Sequence, residues 1–361
     1  MGQHPLLERA ASREVRSAKG FREAAAALTA DVLKADWEAE LQAAPRRAAV
    51  GKKHLVAANR KLAASRRPGR DSEHAALALV AWAREGAALP MPDDEGTFLP
   101  LHAGVALKTA PADRETGAED PNWGVERLDL VGVGPDDRLA VAPMRFLAGD
   151  AKRVGTGDTP LRLLLEGLAF AAMVQANREP LVEELRARSD VSIAEGLPVL
   201  LLVGSPRYWE LCRKREGQKG AAWIRELERL AREIGEGIGL PVRFLCLRLE
   251  GDPGWSYEDG APRLTGRVRL LPAWEPGAGR VRPKPRPRKR RETAQAGDEV
   301  VEADPSRPVR PYSASEHYTP GDRIEHPTLG LGIVQGDAGP NKIRVHFGER
   351  KSTLVHDRSG A

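Results

Sequence analysis

Between Ala273 and Pro311 the sequence loses every hydrophobic period, and inside that stretch stands RVRPKPRPRKRR, Arg280–Arg291, with eight basic residues in twelve and no acid. Like charges repel, and Pro283, Pro285 and Pro287 fix their own backbone near the extended polyproline conformation. Such a stretch cannot enter a core. A chain carrying it at this position must fold as separate units on either side. The expected organisation is a helical N-terminal extension over 1–70, an α/β domain over 71–272, a Pro/Arg-rich disordered linker over 273–311, and a small β-barrel over 312–361.

The charge is distributed as unevenly as the hydrophobicity. The formal net charge is +5, yet residues 71–279 carry 33 acidic against 25 basic side chains, while residues 1–70 carry 15 basic against 7 acidic. Attraction for phosphate is therefore expected from the N-terminal segment and the linker, and the α/β segment taken by itself repels it. Arg280, Arg282, Lys284, Arg286, Arg288, Lys289, Arg290 and Arg291 are the expected nucleic-acid-binding residues, acting on the backbone without sequence preference. The run holds no aromatic residue on which a base could stack. The plainer alternative is a solvated spacer that keeps two domains apart.

Two cysteines, Cys212 and Cys246, are too few for a disulfide scaffold and are expected as reduced thiols. The N-terminus lacks the apolar core of a signal peptide, and Leu6 stands where a myristoylation motif needs Ser or Thr. The longest apolar stretch, Leu163–Val174, is interrupted by Glu166 and is too short to span a bilayer. A cytoplasmic protein without a membrane partner is expected.

Helical spacing marks residues 5–45, broken near Gly20, with Phe21, Ala25, Leu28, Leu33, Trp37 and Leu41 on one stripe. A second helix is expected over Asp71–Leu89. Phe98–Thr109 reads as a strand bulged at Gly104. Glu126–Val133 and Arg138–Phe146 read as a hairpin around Gly134-Pro135-Asp136-Asp137. Thr159-Pro160 is an N-cap followed by a proline at the first helical position, opening an almost wholly apolar helix over Leu161–Asn177. Strands are expected at Pro198–Val203, Val242–Leu249 and Leu264–Leu271, with helices at Tyr208–Arg215 and Ala221–Ile238.

This order of elements, with ERLDLVGVGPDDRLAVAPMRF as the hairpin and TPLRLLLEGLAFAAMVQAN as the following helix, resembles the PD-(D/E)XK, restriction-endonuclease-like nucleases. The resemblance implies a mixed sheet flanked by helices, and an Asp and a Glu holding Mg²⁺ beside a Lys two residues beyond the Glu. Period-2 spacing puts that Glu and Lys on one face of the strand. Asp129 matches the Asp. The other two positions read Pro143 and Arg145, and proline has no ligand atom while arginine stays protonated. A migrated site would use Glu73, Asp129 and Glu166 as metal ligands, with Lys108 supplying the amine. The plainer alternative has Glu73 at a helix start, Glu166 paired with Arg162, and Asp129 facing solvent. Arg127 and Arg138 are candidates for a local basic patch with Arg145.

The last segment, YTPGDRIEHPTLGLGIV followed by NKIRVHF and RKSTLV, resembles the Tudor-like, SH3-like barrel of CarD-type transcription regulators and of the C-terminus of UvrD-type helicases. That resemblance implies a docking surface for a transcription or repair protein. His317, His326, His346 and His356 fall in this segment at spacings that fit no zinc pattern. The sequence therefore leads to a non-catalytic, nucleic-acid-associated adaptor needing no cofactor. An Mg²⁺-dependent nuclease and a protein–protein scaffold without nucleic acid are the alternatives.

Overall fold

A computed structural model describes residues 3–57, 64–215, 221–258, 260–275 and 300–357. The linker run Arg280–Arg291 lies outside the described residues. Two compact units divide the chain, Met1–Arg282 and Pro283–Ala361.

The first unit is mixed α/β. Its helices are α1 (Pro5–Ala11), α2 (Arg13–Arg16), α3 (Phe21–Ala27), α4 (Ala30–Ala43), α5 (Asp71–Ala83), α6 (Pro160–Ala176), α7 (Arg178–Arg186), α8 (Pro206–Arg215) and α9 (Trp223–Ile238). Its strands are β1 (Leu89–Pro90), β2 (Thr97–Val105), β3 (Leu128–Val133), β4 (Leu139–Ala142), β5 (Met144–Arg145), β6 (Val199–Gly204), β7 (Val242–Leu249), β8 (Trp255–Glu258), β9 (Ala261–Leu264) and β10 (Val268–Pro272). One eight-stranded sheet runs in the order β1-β2-β3-β4-β6-β7-β10, with β5 also on β6. β2, β3 and β4 form an antiparallel meander, and β6 lies parallel to β4 and to β7. The parallel step needs a crossover, which α6 and α7 supply.

Alternation along the buried strands shows how the sheet is covered on both faces. Leu200 and Leu202 of β6 pack into the cluster that holds α6 and the N-terminal helices, while Val199, Leu201 and Val203 pack with α5. Residues 3–57 share the first of these cores and are no appendage to it. Phe21, Leu33 and Trp37 are buried in it, and the Phe21 ring meets Trp223 of α9 at 5.8 Å between centroids. α6 is buried on most of its surface, and each fully buried leucine there stabilises the fold by about 2 kcal/mol. Thr159 caps α6, its hydroxyl accepting from the Arg162 N–H at 3.2 Å.

The strands differ from expectation where backbone chemistry interrupts them. β2 stops at Val105, so Lys108 follows the strand, and its irregularity falls between Pro100 and His102. The strand expected over Arg138–Phe146 breaks into β4 and β5 at Pro143, which has no N–H to give to a ladder. Leu264–Leu271 divides between a β8–β9 hairpin and β10.

The second unit is a five-stranded sheet, β11 (Arg310–Pro311), β12 (Arg323–His326), β13 (Gly330–Gly339), β14 (Lys342–Phe347) and β15 (Arg350–Val355), ordered as numbered. Ile324, Val334, Ile343 and Val345 are fully buried and close its core with Tyr318 and Phe347. Part of the expected linker belongs to this sheet. Gln335 bonds the backbone of Val301 in both directions, and Asp304 N–H donates to the Gly321 carbonyl. Among the described residues no helix is long and apolar enough to cross a membrane.

Candidate nucleic-acid groove and its buried charge cluster

A groove of about 900 Å³ opens on the first unit beside β3. Arg47, Arg67, Arg70, Lys108 and Arg127 line it, against Glu73, Glu126 and Asp129. The basic residues come from three separate parts of the chain, which is why the charge of 71–279 alone concealed them. Arg47 is buried and structural, its guanidinium donating to the carbonyls of Lys53 and Lys108. Arg70 pairs with Glu73. Arg67 and Arg127 are exposed, and neither they nor Lys108 enter a side-chain ion pair among the described residues. Three cations of the groove wall therefore have no carboxylate partner there.

The loop carrying Arg67 is fixed from beneath. His74, fully buried on α5, accepts the Arg67 backbone N–H on Nε2 at 2.9 Å, and its Nδ1 meets the Tyr257 hydroxyl at 2.9 Å. A ring nitrogen that accepts from a backbone N–H carries no proton, so this imidazole is neutral in that arrangement.

On the groove wall Asp129, half-buried on β3, accepts the Met144 N–H at 2.7 Å. Met144 lies beyond the last β3–β4 pair, Leu130 with Ala142, so its N–H has no partner on the β3 backbone. Burial pushes the Asp129 carboxyl up to about 6, further raised by Glu73 and Glu166 and opposed by Arg145 and the Met144 N–H. The expectation that Asp129 faces open solvent is corrected by this contact.

Arg145 lies behind it, with its Nε donating to Asp158 Oδ1 at 2.8 Å and its Nη2 to Glu166 Oε2. The other Glu166 oxygen accepts from Arg162 Nε at 2.6 Å. Burial opposes the Arg145 charge, but Asp158, Glu166 and Asp129 outweigh it and hold the guanidinium more firmly protonated than usual. Arg145 is thus consumed by ion pairs and does not form a surface patch with Arg127 and Arg138. Pro143 also has a packing role. A side chain at Gly167 of α6 would come within 3.1 Å of Pro143 Cγ and 2.7 Å of Leu202 Cδ2, so helix and strand approach closely at that point.

Glu73 and Glu166 thus each fall within electrostatic reach of Asp129, yet the three do not form a ligand set. Glu73 is held by Arg70, both Glu166 oxygens are held by arginines, and Lys108 sits on the groove wall beyond β2. Among the described residues no three His, Cys, Asp or Glu side chains are arranged to hold a metal ion. Asp158, the residue that completes the cluster, had no signal in the sequence beyond its position before the Thr159-Pro160 cap.

In the second unit Asp322 gathers two arginines and a backbone N–H. Buried, it accepts from Arg307 and Arg310, each at 2.8 Å, and from the Thr319 N–H at 3.0 Å. Burial raises its pKa, and these donors outweigh burial and hold it below the usual carboxylate range. Gly332 is required by space, because a Cβ there would lie 2.4 Å from the Phe347 ring. Leu329, Tyr312 and Leu354 are half-buried against this core, and the Tyr312 and His326 rings stack at 5.0 Å.

The chain matches no protein-family model, and no curated protein or solved structure is significantly similar to it.

Proposed function

We propose that the protein is a non-catalytic, nucleic-acid-associated adaptor. In this reading the first unit is a restriction-endonuclease-like core that grips the phosphate backbone without cutting it. The Arg280–Arg291 run adds non-specific attraction, and the second unit is a Tudor-like barrel that docks a transcription or repair protein. The observation that carries the reading is the groove, where Arg67, Lys108 and Arg127 converge without carboxylate partners among the described residues, on a segment whose overall charge is acidic. Unpaired cations lining a concave surface attract a polyanion and release its counterions.

The strand order supports the nuclease-like assignment. A meander followed by a helical crossover into a parallel strand carries Asp129 on β3, and Asp129 lines the groove. The chemistry at the remaining positions argues against cleavage. Pro143 offers no ligand atom, Arg145 cannot act as a base, and both oxygens of Glu166 are already hydrogen-bonded.

Incubation of purified protein with plasmid and single-stranded DNA in Mg²⁺ or Mn²⁺, beside an Asp129→Ala control, tests the reading. Retarded but intact DNA is expected. Metal-dependent nicking that disappears in the Asp129→Ala protein would establish the nuclease alternative, and no retardation at low salt would leave only the scaffold.

A further inference from the structure

We infer that the Arg145 guanidinium is the resident cation among the carboxylates Asp129, Asp158 and Glu166, so that these carboxylates take up no divalent metal. The inference rests on reading the first unit as nuclease-like, since that fold implies a metal beside Asp129.

The donor set decides whether a metal fits. Mg²⁺ or Mn²⁺ needs carboxylate oxygens with free lone pairs facing one point. Glu166 presents neither oxygen freely, because Arg145 and Arg162 hold one each. Asp158 Oδ1 is engaged by Arg145 Nε. Asp129 keeps one oxygen beyond its bond from the Met144 N–H. Glu73, the remaining acid nearby, is tied to Arg70. The oxygens left over, one each on Asp129, Asp158 and Glu73, sit on separate side chains, and among the described residues no three such side chains are arranged to hold a metal ion.

The guanidinium itself is anchored on three sides. Nη1 donates to the Met144 carbonyl at 3.0 Å, while Nε and Nη2 reach two different carboxylates. Its strand is fixed as well, because β5 pairs with β6 and the Arg145 carbonyl accepts the Ser205 N–H at 3.0 Å. A planar fork with several N–H groups can bridge two carboxylates at once, which the compact ammonium of lysine does less well. Three carboxylates face two guanidinium groups, Arg145 and Arg162, leaving about one uncompensated negative charge, on Asp129. Removing the Arg145 charge would free oxygens on Asp158 and Glu166, the two carboxylates it bridges, and so let a divalent cation take the place of the guanidinium.

The test is Mn²⁺ titration of the full-length protein, following free Mn²⁺ by electron paramagnetic resonance and the thermal midpoint in parallel. The natural protein is expected to show no Asp129-dependent uptake, and its midpoint should not move with MnCl₂. Arg145→Met should take up Mn²⁺ and gain thermal stability from it, and both effects should vanish in Arg145→Met/Asp129→Asn. Uptake by the natural protein that Asp129→Asn abolishes would overturn the inference, as would a folded Arg145→Met protein that takes up none. If Arg145→Met alone does not fold, adding Asp158→Asn should restore folding by removing one uncompensated carboxylate; failure to restore it overturns the inference. Duplex binding is scored separately, so its loss would sink the proposed function and leave the metal result standing.

Discussion

Replacing His4 by alanine should unlatch the N-terminal helices from the sheet unit, and the structure sets both the size and the pH dependence of the effect. His4 is buried, its Nδ1 lies 2.7 Å from Glu40 Oε1, and its Nε2 lies 2.7 Å from the Pro121 carbonyl. Two acceptors on the two ring nitrogens suit the doubly protonated imidazolium. Burial opposes that charge, but the Glu40 hydrogen bond, the Pro121 carbonyl and the Glu40 charge outweigh it and raise the pKa above 6.5. Glu40 is fully buried, and without His4 its side chain keeps only the Leu6 N–H. Breaking one member of a buried pair costs about 3–5 kcal/mol.

A raised pKa means that the folded state binds the proton more tightly. The pH-dependent part of the stabilisation is therefore complete below about pH 6.5 and is lost as pH rises through the folded-state pKa. Urea denaturation of natural and His4→Ala proteins at about pH 6 and about pH 9 reads this directly. The gap between them should be wider at the lower pH. Equal gaps at both, or a gap well below 1 kcal/mol, would refute the buried ion pair.

Four further outcomes follow. His102, buried and donating to the Val56 carbonyl, is held neutral by burial and nearby arginines with a pKa of about 4. Its contribution, on the order of 3 kcal/mol, should be present above about pH 6.5 and decline as pH falls toward about 4. His102→Gln should flatten that limb of an acid denaturation curve, and an unchanged limb would count against it. Gly132→Ala would place a Cβ 2.1 Å from the Leu99 carbonyl oxygen, so a loss above about 3 kcal/mol is expected, and a natural thermal midpoint would be a failure. Asp322→Ala strands Arg307 and Arg310, and should expose 300–311 to limited proteolysis; unchanged cleavage would show that the clamp is dispensable. Arg67→Glu/Arg127→Glu should weaken duplex binding and lower its salt slope by about one for each phosphate no longer neutralised.

Much of the scaffold was legible from residues 128–177, because turn and cap chemistry is local. Gly134-Pro135-Asp136-Asp137 closes the hairpin with Asp136 and Asp137 at positive φ, and Thr159-Pro160 opens α6 where expected. In the second unit the quoted segments NKIRVHF and RKSTLV form the paired strands β14 and β15, where Ile343, Val345 and Phe347 alternate inward. What escaped was long-range. Nothing periodic links Arg145 to Asp158, or Arg67 to Arg127, and segment charge counts averaged away the cations that folding gathers into one groove. His4 and Glu40 are 36 residues apart, and only the packed structure shows that they are partners. Within the charge cluster the pairing of Glu166 with Arg162, four residues apart on one helix, was the legible part.

In the proposed function the chain holds nucleic acid through the groove and does not cut it. Fluorescence anisotropy of a labelled duplex against the full-length protein, over a salt series in Mg²⁺ buffer, tests it most directly when the recovered DNA is also run on a denaturing gel. Salt-sensitive binding to intact strands is expected, with a slope that falls in Arg67→Glu/Arg127→Glu. Binding indifferent to those two arginines, or strands cut only in the presence of metal and Asp129, would contradict it.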